Sequence, residues 1–357
     1  MLLLADGPGA LRRFILPALF VLALFAAQFL RSGAEEEQGL LTHRFTGPTM
    51  GTNYTVQVVA SSLTAAQQAA IADAITERLE SVNAEMSTYR ADSALSQLNV
   101  GRSTQATAIS ADLATVLAEA ERIHGESRGA FDVTVGPLVN AWGFGPDGPT
   151  QAPSDTEIAA LRTRVGQAHL RLDAAAKTIT KAHPAVYIDL SAIAKGYAVD
   201  RVAGALDALD HRDYYVDVGG EARVRGHNAE ERPWRVGIEK PDAGRGQAQE
   251  ILRLTDMSVA TSGDYRNYYA RDGVRISHTI DPRTGRPISH GLASVTVLHA
   301  ACMTADAWAT ALNVLGPVEG LALAEAKALP AMFIVRQQGG GFEVETTTAF
   351  GGFTRRP

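Results

Sequence analysis

Cys302-Met303-Thr304-Ala305-Asp306-Ala307-Trp308-Ala309-Thr310-Ala311-Leu312 opens an apolar helical run that carries a carboxylate and a hydroxyl one turn apart. Positions i and i+4 share a helix face, so Asp306 and Thr310 can direct two oxygens at one point. Hard cations such as Mg²⁺ take such oxygens, and one or two carboxylates suffice when substrate phosphates complete the shell. Taken alone, the pair reads more often as a cap and a back-bonded hydroxyl. A β-branched segment, Ala293–His299, precedes the helix, and segments patterned as strands, Met332–Val335 and Phe342–Thr346, follow it. Strands and helices mix here without regular βαβ alternation, which points to an α+β fold.

Upstream, Asn53–Val59 alternates as a strand should. Leu63–Met86 and Ser110–His124 carry apolar residues at helical spacing, with Ser110 or Asp112 as the second N-cap. A third helix is expected from Ile193 to Leu209, and short strands at Tyr214–Val218, Ala222–Gly226 and Trp234–Glu239.

The 357-residue chain is 46% hydrophobic, with a formal net charge of -6 and no offsetting basic run. That balance argues against a nucleic-acid partner. One cysteine, Cys302, allows neither an internal disulfide nor a Cys-based metal site. Arg12-Arg13 precede an apolar run, Phe14–Leu30, followed by Arg31 and then Glu35-Glu36-Glu37. Residues 1–33 therefore read as a signal peptide or N-terminal membrane anchor. The poor cleavage pattern around Phe25-Ala26-Ala27 favours the anchor. Positive charge before the span places the body outside the cytoplasm, on the periplasmic side of the inner membrane in a bacterium. Residues 34–44 are expected to be a linker and 45–357 one body.

Several short segments carry chemistry-bearing side chains. Thr49-Met50-Gly51-Thr52 offers a flexible backbone and a hydroxyl, or simply a turn. Met86-Ser87-Thr88-Tyr89-Arg90 sets an aromatic beside a cation, suited to a planar ring and a phosphate or to a helix C-terminus. Gly129–Gly145, with Ala130-Phe131-Asp132, fits either a wall for a large aromatic ligand or plain core. Tyr187-Ile188-Asp189-Leu190-Ser191-Ala192-Ile193-Ala194-Lys195-Gly196 leads from a strand end into a helix, with Ser191 as a natural cap. Its helix N-terminus and Lys195 suit an anion, although the P-loop spacing is absent. Asp217-Val218-Gly219-Gly220-Glu221 and Thr261-Ser262-Gly263-Asp264-Tyr265 read by default as turns. In Ser277-His278-Thr279-Ile280-Asp281-Pro282 a histidine, the commonest general base near neutral pH, stands three residues from a carboxylate.

Taken in order, Met50-Gly51-Thr52, Met86–Tyr89, Ala130–Asp132, Asp189–Gly196, Val218–Gly220, Thr261–Asp264, His278–Pro282 and Thr304-Ala305-Asp306-x-x-x-Thr310 resemble the ApbE family of FAD:protein FMN transferases. The resemblance spans about Phe45 to Gly316. It implies an ApbE-like, T-fold-related body of mixed sheet and helix and a Mg²⁺-dependent reaction. FAD would be cleaved, FMN attached by a phosphoester bond to a Thr or Ser of a target flavoprotein, and AMP released. The family's metal ligands map to the main-chain oxygen of Ala192 and to Asp306 and Thr310. Its flavin-nucleotide contacts map to Met50, Tyr89, Ala130, Phe131, Asp132, Asp189, Lys195 and Ile280. His278 matches a histidine that activates the acceptor, and Asp306 and His278 are the expected catalytic pair. Acceptors in the family include subunits of Rnf or Nqr complexes and a regulator of nitrous oxide reduction. The sequence departs from the family at two points: Lys195 stands where members can carry an acid, and no lipid-attachment cysteine follows the apolar run. An FAD pyrophosphatase giving FMN and AMP, and a non-enzymatic periplasmic FAD-binding protein, are the alternative readings. The first would use the same residues; the second would not need Asp306, Thr310 and His278.

Overall fold

Strands Leu41–Thr49 (β1) and Thr52–Ala60 (β2) form a hairpin closed by Met50 and Gly51. Both turn residues have positive φ, 49° and 70°, as the twist of a two-residue hairpin demands. The computed structural model describes residues 39–146, 148, 151–241, 247–264, 268–271 and 274–354. The expected signal or anchor at 1–33, the linker as far as 38, and Tyr265 lie outside the described residues. The linker expected over 34–44 gives way to β1 at Leu41, which pairs with Ala60. Thr42-His43-Arg44 lack an apolar pattern, so only backbone pairing marks them as an edge strand.

The remaining strands are β3 (Thr107–Ala108), β4 (Leu170–Asp173), β5 (Thr178–Lys181), β6 (Tyr214–Val218), β7 (Glu221–Arg225), β8 (Trp234–Glu239), β9 (Ala248–Leu254), β10 (Met257–Gly263), β11 (Tyr268–Arg271), β12 (Val274–Ser277), β13 (Ile280–Asp281), β14 (Arg286–Pro287), β15 (Leu292–His299), β16 (Ala331–Arg336) and β17 (Phe342–Thr346). The helices are α1 (Ala65–Met86), α2 (Ala94–Val100), α3 (Ala111–Glu126), α4 (Gly136–Ala141), α5 (Asp155–Arg162), α6 (Ala194–Ala208), α7 (Cys302–Ala326) and α8 (Gly351–Thr354).

Among the described residues, an antiparallel 8-stranded sheet runs β1-β2-β6-β7-β10-β15-β16-β17. Helices α1, α6 and α7 cover one face. Ile71, Ile75, Leu79, Val82 and Met86 of α1 bury against Val56 and Val58 of β2 and Val216 of β6 in the main core. Each such side chain contributes about 1.5–3 kcal/mol on burial. A capping box starts α1: Gln67 N–H donates to Thr64 Oγ1 at 3.3 Å, and Thr64 N–H donates to Gln67 Oε1 at 2.9 Å. On the other face, Trp234, Val236 and Leu252 of the β8–β9 hairpin pack with Val224, Leu298, Ile334 and Phe350. Cover on both faces explains why β15 is buried along almost its whole length, with the polar Ser294 and Thr296 included. Helix α7 is apolar and long enough to cross a membrane by composition, but in this fold it is the buried centre of the core.

Candidate active site

The N-termini of α6 and α7 meet at the sheet. Gly196 N–H donates to Asp306 Oδ2 at 3.0 Å. A Cβ on residue 196 would stand 2.4 Å from the Cys302 carbonyl oxygen and 2.8 Å from Asp306 Cβ, so the two helices approach only because this residue is glycine. Helix α7 has no side-chain cap of its own at Ala301. Asp200 of α6 supplies one from across the junction, accepting from Cys302 N–H at 3.0 Å and Met303 N–H at 2.9 Å. Arg223 donates to the same carboxylate at 2.7 Å. The expected capping role of Ser191 is corrected: the cap position of α6 is Ile193, and Ser191 donates through N–H and Oγ to Asp189 Oδ1 at 2.9 and 2.6 Å. The helix begins at Ala194, so Ser191 stands two residues before the cap position and its hydroxyl turns back to Asp189 instead.

Asp306 is 4% exposed and sits in a compact ionic cluster. Lys195 Nζ stands 2.9 Å from Glu221 Oε2 and 3.8 Å from Asp306 Oδ1. Burial works against the Lys195 charge, but the Asp306 and Glu221 carboxylates outweigh it and hold the ammonium above its ordinary range. Burial pushes the Glu221 carboxyl up to about 8, opposed by Lys195 and reinforced by Asp306. Asp217, on the other face of the sheet, is pushed to about 6 by burial, against the pull of Tyr215, the Gly220 N–H and Lys195. Lys195 thus lies between two acidic neighbours, Glu221 and Asp306, and also acts on Asp217 at longer range. Among the described residues no three His, Cys, Asp or Glu side chains converge as a metal cluster.

Other expected site residues collect nearby. Thr310 is partly buried one turn beyond Asp306, and Ala192 is partly buried just before α6. Met50 packs at the edge of the main core from the β1–β2 turn. Tyr89 is exposed, and Asp189 adds to partial burial in raising its phenol pKa. Tyr187 lies by the same Asp189 and bonds with Asn140 and Thr88, so the segments around 88, 140 and 189 share one locale. Asp189 N–H donates to the Val133 carbonyl at 2.7 Å, which brings in the 129–136 loop. In that loop Ala130, Phe131 and Asp132 are buried, Phe131 within the main core. Asp132 accepts from Thr134 N–H at 2.7 Å and Thr134 Oγ1 at 2.5 Å, and His124 Nδ1 lies 3.4 Å from its other oxygen. Arg90, next to Tyr89, is engaged by Glu80 and Asp92.

His278 follows β12, with Phe144 edge-on at 6.2 Å between ring centroids. Asp281, three residues on, binds Arg283 through Nε at 3.0 Å. Ile280 is 4% exposed and packs with Leu138, Trp142 and Ile158. Three residues with little local signal in the sequence complete the arrangement: Asp200, Glu221 and Asn313. Asp200 acts across 102 residues of chain and leaves no local signal. Glu221 ends a segment read as a turn, where an acid at the start of a buried strand is the available clue.

Residues 50–333 match the model of the ApbE family. The chain belongs to that family. Among ApbE-family relatives, the FAD:protein FMN transferase of Vibrio cholerae serotype O1 is 45% identical over 336 residues, 92% of this chain and 97% of the relative. The protein of the same name from Escherichia coli K12 is 37% identical over 340 residues, 93% and 96% of the two chains. The structure of the flavin transferase ApbE from Vibrio cholerae superposes with a TM-score of 0.81 at 44% identity, covering 88% of this chain and 99% of that one. The apo flavinyl transferase ApbE of Pseudomonas stutzeri gives a TM-score of 0.81 at 41% identity, with 88% and 98% covered. The expected ApbE-like body of mixed sheet and helix is the fold of this chain.

Proposed function

We propose that this ApbE-family chain is an FAD:protein FMN transferase that acts with Mg²⁺ on the periplasmic side of the inner membrane. The observation that carries the reading is the buried Asp306 carboxylate, held by the Gly196 N–H on a helix whose start Asp200 caps, with Thr310 one turn on, in a chain so similar to proteins of that name. The donor chemistry fits Mg²⁺. Asp306 Oδ1 lies 3.8 Å from Lys195, beyond hydrogen-bond length, so the ammonium does not tie up this oxygen. Asp306, Thr310 and the Ala192 main-chain oxygen would hold the ion, an all-oxygen set that leaves positions for water and phosphate. The ion would supply Lewis acidity at the pyrophosphate.

The chain's own residues do the rest. Lys195 balances Glu221 and Asp306, so the acids stay poised beside an anionic substrate. Tyr89, Asp189 and the Met50 turn, with main-chain groups of Ala130, Phe131, Asp132 and Ile280, orient the flavin nucleotide. His278 takes the proton from a Thr or Ser hydroxyl of the acceptor flavoprotein. The hydroxyl oxygen bonds to the FMN phosphorus, the bond to the AMP phosphate breaks, and AMP leaves with the electron pair. Water in place of the acceptor would yield FMN and AMP, so exclusion of water sets the leak. Residues 1–33 would anchor the enzyme or direct its export, near acceptors such as Rnf- or Nqr-type subunits.

The test incubates the full chain with FAD, Mg²⁺ and candidate acceptor proteins, then reads the denatured acceptors by mass spectrometry. An added FMN on one Thr or Ser, dependent on Mg²⁺, is the expected result. Free FMN and AMP with every acceptor left unmodified would favour a pyrophosphatase.

A further inference from the structure

Asn313 lies on the face of α7 that carries Asp306 and Thr310, seven and three residues further along. Its side chain is fully buried. The amide nitrogen donates to Ser262 Oγ at 3.3 Å and to Thr279 Oγ1 at 3.2 Å. Ser262 belongs to β10, and Thr279 is the residue after His278. Thr279 is itself 7% exposed, and its carbonyl accepts from Ile288 N–H at 3.0 Å. One amide therefore joins the Asp306–Thr310 helix, the sheet and the histidine segment.

Stability alone does not account for an amide at this position. Asn313 Oδ1 is buried without a hydrogen-bond partner among the described residues, so the side chain carries a desolvation penalty that a leucine of similar volume would avoid. Being fully buried, Asn313 does not reach solvent or a bound nucleotide. What it can do is set the distance and direction of the 278–279 backbone relative to the oxygens on α7.

We propose that Asn313 is a positioning residue for the transfer step, holding His278 in register with the Asp306–Thr310 face through the hydroxyl of Thr279. The proposal rests on the reading of His278 as the base for the acceptor hydroxyl. Reacting groups misplaced by about 1 Å lose roughly 10²-fold in rate, so freeing this segment slows transfer without weakening capture of FAD.

The experiment measures FMN transfer to an acceptor protein by the full chain and by Asn313→Leu, Thr279→Val, Thr279→Ser and the Leu/Val double variant. His278→Asn is run alongside, with thermal unfolding of each. Expected is a fall in kcat of roughly 10- to 100-fold for Asn313→Leu and Thr279→Val, with the FAD KM within about twofold. Thr279→Ser keeps the hydroxyl and stays near the parent, and the double variant is no slower than the slower single one. If Asn313→Leu fails to fold, the Val and Ser variants of Thr279 carry the comparison. Parental kcat in the folded variants, an equal loss in KM, or multiplying losses in the double variant would overturn the proposal. A fully active His278→Asn would instead overturn the reading of the base. A slow His278→Asn beside fast Asn313→Leu and Thr279→Val would sink the positioning role alone.

Discussion

Gly196 and Asp306 are 110 residues apart in sequence, and the amide of one donates to the carboxylate of the other at 3.0 Å. The contact needs a residue without a side chain, since a Cβ would meet the Cys302 carbonyl oxygen at 2.4 Å. That neighbour is backbone at a helix start and cannot rotate away. Gly196→Ala should therefore cost about 1–3 kcal/mol in overpacking and push Asp306 off its position. Urea unfolding and FMN transfer together check this. An alanine variant with parental stability and activity would show that the helices can separate at no cost.

Asp306→Asn tests charge apart from shape. The asparagine can still accept from Gly196 N–H, so the helix junction should hold. Loss of the carboxylate charge at the proposed metal seat should lower Mg²⁺-dependent transfer on the order of 10²-fold or more. A Mg²⁺ titration of adduct formation gives the answer, and parental activity at low Mg²⁺ would remove Asp306 from metal binding.

Asp217 should leave a signature in the pH dependence of stability. Burial raises its carboxyl from 3.8 to about 6. Between those values the folded chain keeps a proton that the unfolded chain has released. Its contribution is complete below the unfolded value and is lost as pH rises through the folded one. Asp217→Asn has no such titration and keeps an oxygen for the Gly220 N–H. The stability of the variant relative to the parent should thus rise from about pH 4 to about pH 6.5. Urea midpoints across that range measure it, and a constant difference would mean that Asp217 does not titrate there.

Elements with a local signal are legible in the sequence. Tyr214–Val218 and Trp234–Glu239 are strands at the expected bounds, because strict alternation has one solution on a pleated surface. Ser110 caps α3, as its place before the apolar period requires. The β1 edge escaped because Thr42-His43-Arg44 show no apolar alternation. Ser191 reads as a cap in sequence, but the helix starts two residues later than that role requires, with Ile193 at the cap position. At the site, the Asp306–Thr310 spacing was visible along one helix, whereas Asp200 and Asn313 act only through contacts the fold creates. Lys195 reads in the sequence as a cation for phosphate; its two acidic neighbours come from β7 and α7, which no spacing near Lys195 foretells.

Lys181 links stability to the proposed nucleotide end of the site. Only 3% of its surface is exposed, and burial lowers its pKa. Nζ donates to the Leu98 and Gly101 carbonyls at 3.0 and 2.6 Å, satisfying two of the acceptors that end helix α2. The same helix holds Asn99, whose amide donates to the Ile188 carbonyl and accepts from the Ile188 N–H, each at 2.8 Å. Ile188 precedes Asp189, a proposed contact of the flavin nucleotide. Lys181→Met keeps the apolar stem but leaves both carbonyls without their donor, at a cost of about 1–3 kcal/mol. Loosening α2 should also move the 188–189 backbone, so the FAD KM should rise while kcat changes little. Chemical denaturation and steady-state transfer measure the two effects separately. A stable variant with normal KM would mean that neither carbonyl depends on Lys181. A fall in kcat at constant KM would place the influence of α2 on the transfer step instead of on FAD capture.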